Sequence, residues 1–275
     1  MKRRIFAAIA LLAAGAAFAR QEAGPGGAAF GGMARVEGGT FLMGSCPTGR
    51  NVEPARSVTV SAFYMGRLPV TQREWAELMG WNPSRFRFRG GSRPVERVSW
   101  LDAIGFANAK SLRAGLEPVY AISGHPRRGP ATVTVTWDRA ANGYRLPTEA
   151  EWEFAARGGI ACQGNFAFSG GDSADEVAWH SGNSRRGTRD VGAKRPNALG
   201  IYDMSGNVWE WVWDWYGPYP SEAQADPAGA PSGYSRAMRG GSWNNASTLA
   251  RSVARSRRTP FHRWDALGLR LARSP

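Results

Sequence analysis

The sequence predicts an α+β fold, irregular and loop-rich, built from short helices and short strands. Three observations carry that expectation. Glycine (35) and proline (17) punctuate the whole chain, so turns are frequent. Three segments place a hydroxyl residue three positions before a carboxylate, the pattern of a helix start. Several short stretches carry β-branched or alternating apolar residues between turn signals.

The helix starts come in chain order. Thr71-Gln72-Arg73-Glu74 opens a segment carrying Trp75, Leu78 and Met79. Ser99-Trp100-Leu101-Asp102 opens one carrying Ala103, Phe106 and Ala107. Thr148-Glu149-Ala150-Glu151 opens one carrying Trp152, Ala155 and Ala156. In each, the hydroxyl accepts from the N–H three residues on, and the acid reaches back or complements the helix dipole. Helices of about 8 to 14 residues are expected. Strands are expected at Ala34 to Met43, Val58 to Met65, Thr132 to Trp137, Arg236 to Trp243 and Leu267 to Arg273. Asn142-Gly143 marks a turn after the third of these. No internal repeat and no shift of composition interrupts residues 33–275, which read as one domain.

With 43% hydrophobic and 21% charged residues the chain is globular and large enough for a substantial core. Twelve tryptophans must fill that core, and each indole N–H needs a partner there. The N-terminus reads as an export signal over residues 1–19. Lys2, Arg3 and Arg4 precede the uncharged run Ile5 to Ala17, and Ala17-Phe18-Ala19 is a small-x-small cleavage site. An uncleaved anchor is the alternative, but the run is short for a membrane span. Residues 20–32, rich in Gly and Ala, read as a flexible linker. A periplasmic or secreted protein follows, with no integral membrane segment once the leader is cut.

Formal net charge is +13, and removing the three leader charges leaves +10. Such a surface suits acidic partners. Export argues against nucleic acid. Nine arginines lie from Arg236 to Arg273 against a single acid, Asp265. For Arg251, Arg255 and Arg270, which alternate with small or apolar residues, burial with paired partners is the competing reading. Cys46 and Cys162 could pair in an oxidising compartment, although sequence alone does not bring them together. His125, His180 and His262 are far apart and lack the spacing of a metal site.

Several segments then form a recognisable series. They are Gly38-Gly39-Thr40-Phe41-Leu42-Met43-Gly44-Ser45, Pro69-Val70-Thr71-Gln72-Arg73-Glu74-Trp75, Arg145-Leu146-Pro147-Thr148-Glu149-Ala150-Glu151-Trp152-Glu153, Gly200-Ile201-Tyr202-Asp203-Met204-Ser205-Gly206-Asn207-Val208-Trp209-Glu210-Trp211, Arg239-Gly240-Gly241-Ser242-Trp243 and Gly268-Leu269-Arg270. In this order and spacing they resemble the formylglycine-generating enzyme family, also called sulfatase-modifying factors. The resemblance implies a C-type-lectin-like fold and a structural Ca2+ site in the loop Asp203 to Glu210. Two carboxylates, Asp203 and Glu210, and the carbonyls of Gly206 and Val208 supply oxygen donors of the kind calcium takes. The competing reading pairs Glu210 with an arginine and puts Trp209 and Trp211 in the core. The family's second calcium loop is expected to be missing, because Trp179 to Asp190 is short and basic.

The resemblance breaks at the chemistry. Members that oxidise a substrate cysteine carry two cysteines after the Arg-Gly-Gly-Ser segment, where they bind copper(I). Here those positions hold Asn245 and Ala250. Amide and methyl groups cannot replace thiolates on a soft metal, so copper and the oxidase reaction are not expected, and no catalytic residue is assigned. A protein- or glycan-binding module fits better. Trp243, Asn244, Asn245, Ser247, Thr248, Phe261, His262 and Trp264 combine aromatic anchors with adaptable polar groups, in the segment that some relatives diversify to change ligand. A sulfatase-modifying enzyme with a rearranged site and a structural subunit of an envelope complex are the alternatives.

Overall fold

The computed structural model describes residues 32–44, 53–124, 133–161 and 166–275. The expected export signal, most of the expected linker, Cys46, Cys162 and His125 lie outside these residues, so any disulfide between the two cysteines does too. The elements run β1 (Met33–Val36), β2 (Gly39–Met43), β3 (Arg56–Val60), β4 (Phe63–Gly66), α1 (Gln72–Met79), α2 (Trp100–Arg113), β5 (Tyr120–Ser123), β6 (Thr134–Trp137), β7 (Tyr144–Arg145) and α3 (Glu149–Ala156). They continue with α4 (Ala174–Val177), β8 (Trp209–Trp215), β9 (Gln224–Ala225), β10 (Arg236–Arg239), β11 (Arg255–Arg258), β12 (Leu267–Leu269) and β13 (Ala272–Arg273).

All three expected helix starts form. Thr71, Ser99 and Thr148 sit in extended conformation at the N-caps, and each side chain accepts from the N–H three residues on. At Ser99 and Thr148 the acid reaches back as well, closing full capping boxes with Asp102 and Glu151. Helix α1 stops at Gly80, which takes the left-handed conformation a C-cap asks for.

Two of the expected strands each divide into a pair, β1 with β2 and β3 with β4, and the last divides into β12 and β13. The divisions send neighbouring pieces to different sheets. One sheet has the order β1-β4-β13-β7, a second β11-β10-β8-β12, a third β2-β3-β9, and β5 pairs with β6. Only Arg270 and Leu271 separate β12 in the second sheet from β13 in the first.

The Trp-rich segment adds a strand beyond those expected. Residues Trp209–Trp215 form the longest strand and a central one, paired in parallel with β12 and antiparallel with β10. Their period of two is clear, but both faces are covered, so Glu210 and Asp214 lie inside rather than in water. Trp209 and Trp211 join a core with Trp75, Trp100, Phe106, Leu267 and Leu269. On the other face Val212 joins a core with Val36, Phe63, Met65, Trp152 and Phe154.

Several tryptophans find the partners their N–H groups need, whereas the buried Nε1 of Trp75 and of Trp179 have none among the described residues. Trp100 donates to Val212 O at 2.9 Å, Trp211 to Val98 O at 3.0 Å, Trp152 to Glu210 Oε2 at 2.7 Å and Trp209 to Asn245 Oδ1 at 2.7 Å. Arg236 is buried between the rings of Trp100 and Trp215, its guanidinium carbon 3.8 and 3.6 Å from their centroids. Burial lowers its pKa to about 9.

Candidate functional site

Helix α3 explains what the signature Thr-Glu-Ala-Glu-Trp-Glu does. All eight residues are buried, including three glutamates. Burying a carboxylate is costly unless it is paired and hydrogen-bonded. Glu149 is held by Arg255, Nε and Nη2 each at 2.7 Å, with Arg239 Nε at 3.4 Å. Burial pushes the Glu149 pKa up, but Arg255 and Arg239 outweigh it and the net shift is downward. Glu151 pairs with Arg145 through two bonds of 2.6 and 2.7 Å while it caps the helix. Glu153 binds Arg239 and Arg157 and accepts from Gly44 N–H at 2.8 Å. Beneath the helix start, Asp214 accepts from Glu149 N–H at 2.8 Å, and burial together with the charge of Glu149 raises its pKa to about 8.

These contacts also account for the arginines. Arg239, Arg255 and Arg270 are almost wholly inside. Arg251 is half-buried and donates to Thr248 O at 2.9 Å. The high positive charge is therefore partly internal.

The loop Asp203 to Glu210 is a tight structure. Asp203 and Asn207 adopt left-handed φ of 55° and 63°, and Gly206 has φ 80°. A Cβ on Gly206 would lie 2.2 Å from Trp179 O, so no other residue fits there. Asn207 fastens the loop to Arg189, accepting from its N–H at 3.0 Å and donating to its carbonyl at 3.1 Å.

The structure gives both proposed calcium carboxylates other partners. Glu210, fully buried, accepts from Arg270 Nε at 3.1 Å, Arg270 Nη2 at 2.9 Å and Trp152 Nε1 at 2.7 Å. Arg270 also donates to Gly66 O and Tyr202 O, each at 2.7 Å, and so ties both large sheets to the loop. Asp203 accepts from Gly192 N–H at 2.6 Å and Asn207 Nδ2 at 3.3 Å, and burial raises its pKa to about 6. A guanidinium that engages both oxygens of Glu210 stands where a cation would be repelled. In this arrangement the set Asp203, Gly206, Val208 and Glu210 does not fit calcium; Glu210 pairs with an arginine, as the competing reading had it. Among the described residues no group of three or more His, Cys, Asp or Glu is placed to hold a metal.

The two positions that differ from the oxidase pattern are built into the frame. Asn245 Oδ1 accepts from Trp209 Nε1 at 2.7 Å and Ser242 Oγ at 2.6 Å. Its carbonyl accepts from Ser181 N–H at 2.9 Å. Ala250 is buried with Val177 and Ala178.

One hydrogen bond links the two stretches that hold the expected ligand-binding residues. Trp243 Nε1 donates to Asp265 O at 2.9 Å, joining the segment of Asn244, Asn245, Ser247 and Thr248 to that of Phe261, His262 and Trp264. Asn244 and Thr248 are exposed, and the other six are half-buried. Burial and the charge of Arg258 lower the pKa of His262. Sequence reasoning missed a neighbour of this face, the turn from Arg85 to Arg89, whose Phe86 meets Trp243 edge-on at 5.4 Å. The alternation Arg-Phe-Arg-Phe-Arg was its visible signal. Also missed was a cavity of about 220 Å³ lined by Trp137, Arg139, Arg145 and Asp226 among others.

A mixed, turn-rich frame of short helices and strands, with a buried acid–arginine network, defines a C-type-lectin-like sulfatase-modifying-factor protein. Residues 20–275 match the sulfatase-modifying factor enzyme 1-like domain, and the chain belongs to that family. It is 44% identical over 205 residues to the chaperone protein LppX of Paenibacillus barcinonensis, covering 66% of this chain and 70% of that one. It is 33% identical to inactive C-alpha-formylglycine-generating enzyme 2 of Bos taurus and 30% identical to formylglycine-generating enzyme of the same organism, covering 87% of this chain in each case and 87% and 74% of those chains. It spans 38% of the length of the kinase Pkn1 of Chlamydia pneumoniae. Among solved structures, Treponema denticola variable protein 1 superposes with a TM-score of 0.79 at 32% identity, over 88% of this chain and 95% of that one.

Proposed function

We propose that the chain is an exported binding module that recognises a protein through its C-terminal loops and performs no cysteine oxidation. The observation that carries this reading is the state of Asn245 and Ala250. Where the oxidases hold a thiolate pair, one side chain anchors Trp209 and the other fills the core. Neither of these two side chains can supply a thiolate to copper(I). The relatives include both a formylglycine-generating enzyme and one named inactive, so family membership alone does not decide the activity.

The exposed Asn244 and Thr248 stand on a rigid body, the arrangement in which loops carry recognition. A protein ligand is favoured over a glycan because the relative at 44% identity is a chaperone protein by name. A photo-crosslinking amino acid at Thr248 tests this in the exporting host. Discrete protein adducts are expected there, and none from the same probe at exposed Leu112. Adducts equal at both positions, or absent at Thr248, would count against the C-terminal loops as the binding face.

A further inference from the structure

We propose that the arginine-rich turn from Arg85 to Arg93, with the adjoining loop from Arg185 to Arg189, is a docking surface for an anionic lipid bilayer. The two segments lie side by side. Val191 N–H donates to Ser92 O at 3.0 Å, and Arg93 Nε donates to Arg89 O at 3.3 Å. A Cβ on Gly187 would lie 3.2 Å from the Phe86 ring and 3.4 Å from Arg89 Nη1.

Together they carry seven arginines. Two acids answer them, Asp265 at 2.5 Å from Arg85 and Asp190 at 3.9 Å from Arg93. Arg87, Arg89, Arg185 and Arg186 are exposed and form no ion pair with a carboxylate among the described residues. Arg93 is 8% exposed, and its Nη1 has no hydrogen-bond partner among the described residues. Arg89 and Arg189 lie close enough to act on its charge. A buried guanidinium with an unpartnered donor, flanked by two more, suits an oxyanion such as a phosphodiester.

The aromatic residues choose between a bilayer and a soluble polyanion. Phe88 is 86% exposed, with the Arg87 guanidinium 4.6 Å from its ring centroid. Beneath it the turn is fixed: Phe86 N–H donates to buried Glu96 at 2.9 Å, and the Phe86 ring packs on Trp243. The fold therefore holds a bare aromatic ring outward in the middle of a cationic face. A dissolved polyanion without apolar surface, such as polyphosphate, uses the guanidinium groups alone. The headgroup boundary of a bilayer takes the cations at its phosphates and the ring at its acyl edge. The neighbouring Arg185 and Arg186 have left-handed φ of 53° and 58°, a conformation unusual for such residues and retained mainly where a site needs it.

Co-sedimentation of the full chain with vesicles containing phosphatidylglycerol, against phosphatidylcholine vesicles, tests the proposal. The readout is the difference between variants, so any contribution of the N-terminal segment cancels. Binding to the anionic vesicles is expected to fall with salt. Arg87→Ala with Arg89→Ala should weaken it about twenty-five-fold, at about five-fold per arginine. Phe88→Ser should weaken it several-fold while leaving the urea midpoint unchanged, because that ring packs on nothing inside. Equal binding to both vesicle types, or no binding to either, would overturn the proposal. So would a Phe88→Ser variant that binds like the wild type, or binding to heparin without binding to vesicles.

Discussion

Replacing Glu210 by Gln probes the centre of the fold most sharply. The amide keeps the volume and still offers an oxygen to Trp152 Nε1. It removes the charge that faces Arg270, and both side chains are fully buried. Removing one partner of a buried ion pair typically costs about 3–5 kcal/mol, because the other charge is left uncompensated. Two of the Arg270 bonds, to Gly66 O and Tyr202 O, survive the change and temper the loss toward the lower end. With a urea m-value of about 3 kcal/mol/M, the midpoint should fall by about 1 M. Urea unfolding followed by tryptophan fluorescence reads this directly. The loss should be the same in calcium and in a calcium chelator, since Arg270 and not a cation faces Glu210. A loss below about 1 kcal/mol would refute the role of the pair. A loss that appears only with calcium present would instead show that Arg270 yields its place to the ion.

Other expectations concern single contacts. Asn245→Ala removes the acceptor of the buried Trp209 N–H and should cost about 1–3 kcal/mol in urea unfolding, whereas Asn245→Asp, which keeps an acceptor oxygen, should cost less. Ser99→Ala breaks a complete capping box and should cost about 1 kcal/mol by the same measurement. Burial raises the pKa of Glu96 to about 7 from an ordinary 4.5. Folding therefore favours its protonated form, so this contribution to stability is full below about pH 4.5 and is lost as pH rises through about 7, a total of at most ~3 kcal/mol. The melting temperature of Glu96→Gln should be flatter between pH 5 and 8 than that of the wild type. Asp203, raised to about 6, acts in the same direction and leaves part of the slope in the variant.

What could be read in advance follows the range of the interactions. The caps at Thr71, Ser99 and Thr148 are settled within three residues, and each formed where the local pattern placed it. Binding partners far apart in sequence were not legible. Glu210 and Arg270 are separated by 60 residues, and a carboxylate between two tryptophans reads equally as a metal ligand or as an ion-pair partner. The same ambiguity hid strand β8. Its alternation is plain, but the face bearing Glu210 and Asp214 is polar, so the usual inference from polarity to solvent fails when buried arginines supply the counter-charges. The competing reading for Arg255 and Arg270 was right for that reason: an arginine set among small residues has room to be enclosed. Where the basic surface lies was not legible either, because four of the nine C-terminal arginines, Arg236, Arg239, Arg255 and Arg270, turn inward while the turn around Phe88 faces out.

We propose that this chain keeps the family's frame without its oxidase centre. Oxygen consumption by the copper(I)-treated protein, with a peptide carrying a sulfatase-type cysteine, tests it most directly. No turnover above a copper-treated Asn245→Ala control is expected, and no formylglycine in the peptide by mass spectrometry. Catalytic conversion of the cysteine to formylglycine by the wild-type chain would contradict the account.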